Sequence, residues 1–190
     1  MGPSGSATWH LMLDGAEAIL REEGYAELTS RRVAERVGIK QQLVYYYFKT
    51  MDELMVEAFR RLSKRELERF EQAMSAERPL HEIWGIAMNT SDARLISEFM
   101  ALANRSEGVR AEVIAFIERS RQLQVEALTR AIERKAVAAG KPAAALPPVA
   151  ATFLATSVGL ALTREAALGV SMGHAEIAGV IEQYLAALEP

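Results

Sequence analysis

The chain has 190 residues, of which half are apolar and a quarter are charged, and its formal net charge is −3. This composition is typical of a globular protein, and it excludes a disordered chain, a collagen-like fibre and a mucin-like stalk. The chain contains no cysteine, which excludes a disulfide scaffold, a zinc ribbon, an iron–sulfur cluster and a thiol nucleophile. Its three histidines are too far apart in sequence to form a local ligand pair, so we expect no metal site and no cofactor.

The apolar runs of the chain are short. None of them reaches the roughly 18 to 20 residues that a transmembrane helix needs. The nearest candidate, residues 149–162, is rich in alanine, threonine and glycine and is followed by Arg164 and Glu165. The first residues also lack the basic and apolar regions of a secretory signal. We therefore expect a cytoplasmic protein with no membrane partner.

Proline and glycine predict the order of the elements. Residues 4–78, 80–141 and 149–189 contain no proline, and proline breaks helix interiors. These blocks are rich in helix formers and show almost no alternation of β-branched residues, so the sequence predicts an all-α fold of about nine helices. Before the first helix, residues 1–7 are expected to form a flexible tail. The helices are predicted at residues 8–23, 30–37, 41–47, 51–75 and 80–88, then from a cap at Ser91 or Asp92 to about 104. A long seventh helix is predicted to open at residues 106–108 and to run to about 138, and the last two are predicted at 149–168 and 174–188, after a loop at 140–148.

The segment 28–49 has the pattern of a helix-turn-helix. Two helices that cross steeply need a small residue at their contact, which Ala34 supplies, and four residues later Gly38 permits a sharp turn. Val44 is then placed to fill the wedge between the helices, and the hydroxyl of Thr29 can cap the second helix. On this spacing alone an ordinary αα-corner is the alternative.

Charge is distributed unevenly along the chain. Residues 29–49 contain five basic side chains and one acidic side chain, whereas residues 66–190 contain 12 basic and 16 acidic side chains. A small basic patch on an otherwise acidic chain is what a localised DNA-reading surface requires. A solvated helix face is the other interpretation of the same count.

The segments that flank the helix-turn-helix carry a family resemblance. The glycine–aromatic turn and threonine at 24–29, the aromatic run at 44–48 and the Asp-Glu-Leu at 52–54 together resemble the TetR (tetracycline-repressor-like) family of bacterial regulators, over about residues 10–60. The resemblance implies an N-terminal three-helix DNA-binding domain at 1–50 and a C-terminal helical ligand-binding and dimerisation domain at 51–190. The function it implies is a repressor that a small apolar ligand releases from a palindromic operator in double-stranded DNA.

Three positions depart from the family pattern. Tyr47 stands where the family usually has histidine, Leu43 where a small or hydroxyl residue is common, and Met51 where a lysine often contacts a phosphate. Lys49 lies two residues before Met51 and can supply that charge. The departures at Leu43 and Met51 keep open an alternative function, a helical interaction protein whose degenerate helix-turn-helix does not bind DNA. An enzyme is not expected, because the chain lacks a Gly-rich phosphate loop, a nucleophile elbow and an HExxH motif.

The position of each side chain on the helix-turn-helix predicts its role on DNA. The major groove admits one helix, whose N-terminal half faces the base edges. Lys40, Gln41 and Gln42 occupy that half; glutamine pairs with adenine, and lysine reaches guanine acceptors. By resemblance, Arg31 reaches a base edge or a phosphate. The expected phosphate anchors are Thr29, Tyr45, Tyr46, Tyr47 and Lys49.

The three consecutive tyrosines cannot all have the same role. Successive residues of a helix point about 100° apart, so three adjacent rings cannot share one face. We therefore expect Tyr47 to pack into the core of the small domain, and we rank Tyr45 and Tyr46 above it as DNA contacts.

The second domain is predicted to hold a dimer interface. The resemblance implies a homodimer through the last two helices, and the small residues between 149 and 168 would let helix axes approach closely. A buried core helix is the alternative. The candidate interface residues are Phe153, Leu154, Leu160, Ile177, Ile181, Tyr184 and Leu185.

The resemblance also implies an apolar pocket for an effector in this domain. Apolar lining with few polar groups is the general pattern of such pockets. Core packing is the alternative for each residue, because both roles place apolar side chains at helical spacing. The candidate pocket residues are Phe59, Trp84, Met88, Phe99, Met100, Ala103, Phe116, Ser120 and Phe153.

Overall fold

The computed structural model describes residues 4–88, 90–139 and 146–189, with side chains throughout these ranges except at 90–94, 138 and 139. Over these residues the chain is all-α, as the sequence predicts, with nine α-helices, a 3-10 turn at Tyr25–Glu27 and no strand. None of the described helices is long and apolar enough to cross a membrane. The helices are α1 (Ala7–Glu22), α2 (Ser30–Val37), α3 (Gln41–Tyr47), α4 (Met51–Ala73), α5 (Pro79–Ala87), α6 (Thr90–Leu102), α7 (Glu107–Ala139), α8 (Pro148–Ala167) and α9 (His174–Leu188).

Helix ends follow local capping signals. The hydroxyl of Ser6 accepts a hydrogen bond from the backbone N–H of Trp9 at 3.3 Å, so α1 begins inside the segment predicted as a tail. The predicted cap of α6 at Ser91 or Asp92 is wrong, because the helix already begins at Thr90 and both residues lie in its first turn. Residues 140–145 of the predicted loop at 140–148 lie outside the described residues.

The chain divides into two compact units. The first comprises Met1–Lys64 and Arg94–Ala115, and the second comprises Arg65–Ala93 and Phe116–Pro190. Helix α4 (Met51–Ala73) begins in the first unit and ends in the second. The division between the units therefore does not coincide with the functional boundary predicted at residue 50. The assignment of functions to residues 1–50 and 51–190 stays a prediction.

In the first unit, α1 packs closely against α2. A Cβ atom built on Gly15 of α1 would lie 2.6 Å from Cγ1 of Val37, so this approach requires a glycine. Helix α4 is tied to α1 by Arg61, whose guanidinium donates to the buried carboxylate of Glu17 at 2.7 Å. The fully buried side chains of this unit include Met12, Leu13, Ile19, Leu20, Val33, Val44, Phe48, Leu54, Phe59, Leu62, Leu95 and Phe99.

In the second unit, α5, α7, α8 and α9 surround one apolar cluster. Its buried members include Phe70, Leu80, Ile83, Leu123, Leu128, Ala151 and Leu185. The buried carboxylate of Glu189 accepts the backbone N–H of Leu80 at 3.0 Å, and the guanidinium of Arg78 donates to the Glu189 carbonyl oxygen at 3.1 Å. The end of α9 is thereby fixed to the beginning of α5.

Candidate nucleic-acid interface

The turn between α2 and α3 is built by local hydrogen bonds. The Thr29 hydroxyl accepts the backbone N–H of Arg32 at 3.1 Å and so caps α2. Gly38 ends α2 in the left-handed conformation (φ 72°), which glycine adopts without steric cost. Ala34 and Val44 are both buried where the two helices meet. This local geometry sets the direction in which α3 leaves the turn.

The first turn of α3 presents polar side chains. Lys40, Gln41 and Gln42 are all exposed, whereas Val44, one turn further along the helix, is buried. Helix α3 therefore has a polar outer surface at the end that the sequence predicts to face base edges.

The aromatic run at the end of α3 is divided between surface and core. Tyr45 and Tyr46 are 50% and 53% exposed. Tyr47 is half-buried, and its ring lies edge-on to that of Tyr46 with 5.5 Å between centroids. The fully buried ring of this run is Phe48, not Tyr47, and it stacks on Trp9 of α1 with centroids 6.1 Å apart.

Nothing in the sequence singles out Ser30, yet Ser30 connects two of the predicted DNA contacts. Its hydroxyl accepts a hydrogen bond from Nε2 of Gln41 at 2.9 Å and donates to the hydroxyl of Tyr45 at 3.0 Å. Ser30 itself is buried. A serine beside a capping threonine is a common helix start, so its type and position carry no signal of this second role.

The three arginines of α2 are paired with carboxylates. Arg31 donates to Glu35 on the same helix at 2.8 Å. Arg32 donates to both oxygens of Glu23, at 2.9 Å each, and this hydrogen bond, opposed in part by desolvation, holds the pKa of the Glu23 carboxyl below its ordinary value. Arg36 pairs with Glu22 and Glu23 at the end of α1.

These pairs make the basic patch smaller than the count over residues 29–49 suggests. Glu22 and Glu23 precede that segment in sequence, and the fold brings them beside its arginines. Lys40 and Lys49 remain as exposed cations that pair with no carboxylate among the described residues.

Lys49 is held directly before α4. Its backbone N–H donates to Oε2 of Glu53 at 2.8 Å, and the Thr50 hydroxyl accepts the backbone N–H of Glu53 at 3.1 Å. This reciprocal arrangement is a variant of the capping box and fixes the entry of the chain into the helix. Met51, at the position of the family's lysine, is partly buried.

The candidate pocket residues fall into both compact units. In the first unit, Phe59 and Phe99 are fully buried and contact each other with ring centroids 4.9 Å apart, and Ala103 is also buried. Met100 is partly buried. These four residues form part of that unit's core.

In the second unit, a cavity of about 330 Å³ lies among α5, α7, α8 and α9. Of the candidate pocket residues only Trp84 lines this described cavity; Met88, Phe116, Ser120 and Phe153 do not. The Phe153 ring is 53% exposed and lies 5.3 Å from the Arg121 guanidinium. The wall is almost entirely apolar, and its polar side chains are Thr152, Tyr184 and the pair Gln124 and Thr156, whose hydroxyl donates to Gln124 at 2.9 Å.

Some of the candidate dimer residues on α8 and α9 line the cavity, and the others lie outside it. Leu154, Ile181, Tyr184 and Leu185 line the cavity, and Leu160 is partly buried elsewhere on α8. The exposed large apolar side chains of these two helices are Val149, Phe153, Leu154, Ile177, Val180 and Tyr184.

Comparison with known proteins agrees with this architecture. Residues 12–58 match the family model of bacterial regulatory proteins of the tetR family. No curated protein matches the chain significantly in sequence.

Solved structures extend the likeness over nearly the whole chain. A TetR transcription regulator from Haloarcula marismortui has a TM-score of 0.73 at 18% identity, over 95% of each chain. The regulator FadR from Bacillus subtilis, in complex with stearoyl-CoA, has a TM-score of 0.67 at 15% identity, over 95% of this chain and 97% of its own. A proposed regulator from Saccharomonospora viridis in complex with choline has a TM-score of 0.74 at 13% identity, over 87% and 88%. Residues 12–58 thus match the tetR-family model, and the chain shares the fold of these solved regulators.

Proposed function

We propose that this protein is a transcriptional regulator of the TetR family, a repressor that binds a palindromic operator as a homodimer and leaves it when a small apolar ligand binds. The observation that carries the DNA-binding part is the first turn of α3, where Lys40, Gln41 and Gln42 are exposed together. Side chains of these types form the specific contacts to purine edges in the major groove. The same three residues would therefore read the operator.

The residues around this turn would hold the phosphate backbone on both sides of the groove. Tyr45, Tyr46 and Lys49 are exposed beyond the reading residues, and Thr29 and Arg31 lie at the start of α2. The Arg31–Glu35 pair is exposed, and such pairs contribute little to stability. Exchanging Glu35 for a phosphate therefore costs little, and a phosphate contact fixes the register of the helix on the duplex.

The departures at Leu43 and Met51 do not remove this surface. Both side chains are partly buried, whereas the polar side chains of the first turn of α3 are exposed. Leu43 can still supply an apolar contact to a thymine methyl group. This arrangement supports DNA binding over the alternative of a degenerate helix-turn-helix.

The exposed apolar side chains of α8 and α9 support a homodimer. Phe153, Leu154, Ile177, Val180 and Tyr184 lie on these two helices, and each is at least two-fifths exposed. Apolar faces of this kind mark interaction surfaces, and a second copy of the chain supplies a surface of the same composition. Two-fold pairing would also present two α3 helices to the two halves of a palindrome.

The cavity of the second unit supports an apolar effector. Its volume of about 330 Å³ is at the lower end of the range for small-molecule sites, roughly 300–1,000 Å³. Two proteins of this fold hold ligands as different as stearoyl-CoA and choline, so the lining rather than the fold would set the choice. The wall is almost wholly apolar, and its few polar side chains are Gln124, Thr156, Thr152 and Tyr184. This lining favours a compact apolar molecule with few hydrogen-bonding groups.

The proposal is tested by fluorescence anisotropy of labelled random-sequence duplexes at two salt concentrations. We expect binding that weakens steeply as salt rises, because phosphate contacts release counterions. The matched control is the double variant Lys40→Ala/Lys49→Ala, whose two positions are the exposed unpaired cations of this surface. Absence of binding at low salt, or binding that is indifferent to both salt and the double substitution, would contradict the proposal and favour the non-DNA-binding alternative.

A further inference from the structure

We infer that Ser30 is a positioning residue that fixes the direction in which Gln41 and Tyr45 present their hydrogen-bonding groups to the operator. The inference rests on the proposed function. Ser30 is 5% exposed, so it is placed to act on DNA only through these two neighbours. Its hydroxyl contacts Nε2 of Gln41 at 2.9 Å and the hydroxyl of Tyr45 at 3.0 Å.

The single proton of Ser30 decides the orientation of the Gln41 amide. A serine hydroxyl has one proton to donate, and here Tyr45 receives it. Only the lone pairs of the oxygen then remain for Gln41, so the amide turns its NH₂ group rather than its carbonyl toward Ser30. The two opposite orientations of the Gln41 amide therefore differ in energy, and the one with its NH₂ group toward Ser30 is favoured.

The orientation that Ser30 selects is the one that suits adenine. An amide NH₂ carries two N–H groups, and Ser30 uses one of them. The second N–H and the carbonyl oxygen are left to face outward from the first turn of α3. Adenine offers N7 as an acceptor and its N6 amino group as a donor, so this pair of groups matches its major-groove edge.

The same proton also orients Tyr45. Because the Tyr45 hydroxyl accepts from Ser30, its own proton is left to be donated outward. Tyr45 is half-exposed at this point, and phosphate oxygens accept hydrogen bonds from tyrosine. One buried hydroxyl thus prepares a base contact and a phosphate contact before DNA arrives.

The test compares Ser30→Ala with Ser30→Thr, which keeps the hydroxyl, and with Ser63→Ala as a matched control. Ser63 is a buried serine of α4 whose hydroxyl donates to the Arg60 carbonyl oxygen at 3.0 Å, so this variant also loses a buried hydroxyl. Affinities are measured for the duplex that the parent selects from a random pool. The Gln41→Ala variant first identifies the base pair at which it no longer discriminates. The affinities are then measured again on the three duplexes in which that base pair is replaced by each of the other three.

We expect Ser30→Ala to lose about five- to thirtyfold in affinity for the selected duplex, which corresponds to roughly 1–2 kcal/mol of lost hydrogen bonding. It should also lose the preference at the Gln41 base pair, whereas Ser30→Thr and Ser63→Ala keep it. In the background of Gln41→Ala, the Ser30→Ala change should cost less, because Tyr45 is then the only one of its two partners that remains to be oriented.

Two results would count against the inference in different ways. If the parent is selective but Ser30→Ala keeps the preference at that base pair, the role of Ser30 alone is overturned. The same conclusion follows if the losses of Ser30→Ala and Gln41→Ala simply add in the double variant. A parent that selects no sequence overturns the proposed function, and the role of Ser30 with it.

Discussion

Two neighbouring glutamines at the tip of α3 are held in different ways. Gln41 is fixed by Ser30, whereas Gln42 is exposed and forms no side-chain hydrogen bond with the described residues. A contact from Gln42 must therefore be ordered by DNA itself. We expect Gln41 to discriminate more sharply between bases than Gln42, since less side-chain entropy is lost when it binds.

Replacement of Gln42 with alanine should relax specificity at one base pair. The expected cost at the matched base is about 1–3 kcal/mol, the typical value of a good bidentate pair, and smaller if Gln42 contacts the base with one group only. Competition between the selected duplex and single-base variants measures it. Equal discrimination by the parent and the variant at every position would place Gln42 outside the base contacts.

Replacement of Lys49 with alanine should weaken binding to all sequences alike. Lys49 is an exposed cation fixed before α4 by its backbone hydrogen bond to Glu53. Removing one phosphate contact should lower the slope of log affinity against log salt by about one for each half-site. Lys135→Ala, at an exposed position of α7, is the control. An unchanged slope would show that Lys49 does not reach a phosphate.

At the scale of single residues, local signals could be predicted and long-range partners could not. The Thr29 cap and the positive φ of Gly38 depend on residues within one turn of each other, so the sequence contains them. Glu22 and Glu23 neutralise arginines nine to fourteen residues later in the chain. A charge count over one segment cannot include such partners.

Among the elements, the close contact of α1 with α2 depends on the absence of a Cβ atom at Gly15. In the variant Gly15→Ala the new Cβ would lie 2.6 Å from Cγ1 of Val37, a β-branched side chain with little freedom to move. We expect a loss of about 1–3 kcal/mol in the free energy of unfolding, the usual cost of overpacking. Urea denaturation measures this loss.

The matched control is Gly85→Ala in α5. A Cβ atom at Gly85 would meet no atom within 4 Å, and alanine is the better helix former. This variant should therefore be as stable as the parent or more stable by up to roughly 1 kcal/mol. If both variants lose the same free energy, the loss in Gly15→Ala does not arise from the α1–α2 contact.

The end of α9 stabilises the beginning of α5 through one carboxylate. Glu189→Ala would leave the buried backbone N–H of Leu80 without its acceptor. Such an unsatisfied donor costs about 1–3 kcal/mol. Calorimetric unfolding should show this loss, whereas Glu133→Ala on the exposed side of α7 should unfold like the parent. A Glu189→Ala variant as stable as the parent would show that this contact contributes nothing.

The order of the helices and most of their bounds could be predicted because proline, glycine and capping residues mark them, whereas the predicted start of α6 is wrong. The role of each apolar residue inside a helix could not be predicted. Phe59 and Trp84 occur at similar helical spacing, yet Phe59 packs in the core and Trp84 lines the cavity. Periodicity identifies the inward face of a helix, but only the packing of neighbouring helices decides whether a space remains beside it.

At the scale of the whole molecule, the proposed dimer and the proposed effector share side chains. Leu154, Val180 and Tyr184 line the cavity and are also exposed on α8 and α9. A ligand that shifts them would therefore also alter the dimer surface. Coupling of this kind needs about 2.7 kcal/mol for a hundredfold change in operator affinity.

Placing a charge on this face should separate the subunits. Val180 is 66% exposed on α9, so Val180→Glu should fold normally but lose dimerisation, because a buried unpaired carboxylate is costly at an interface. Operator affinity should fall when the dimer is lost, since each subunit then binds only one half-site. Val137→Glu, at a valine 85% exposed on α7, is the control. Sedimentation of Val180→Glu as a dimer would exclude this face as the interface.

The most direct test of the whole account is selection of bound duplexes from a random pool, by the parent and by the double variant Gln41→Ala/Gln42→Ala. If the first turn of α3 reads DNA, the parent enriches an inverted repeat, and the double variant loses the preference at one or two base pairs in each half-site while still binding. A parent that enriches no sequence, or a double variant that enriches the same sequence as strongly as the parent, would contradict the account.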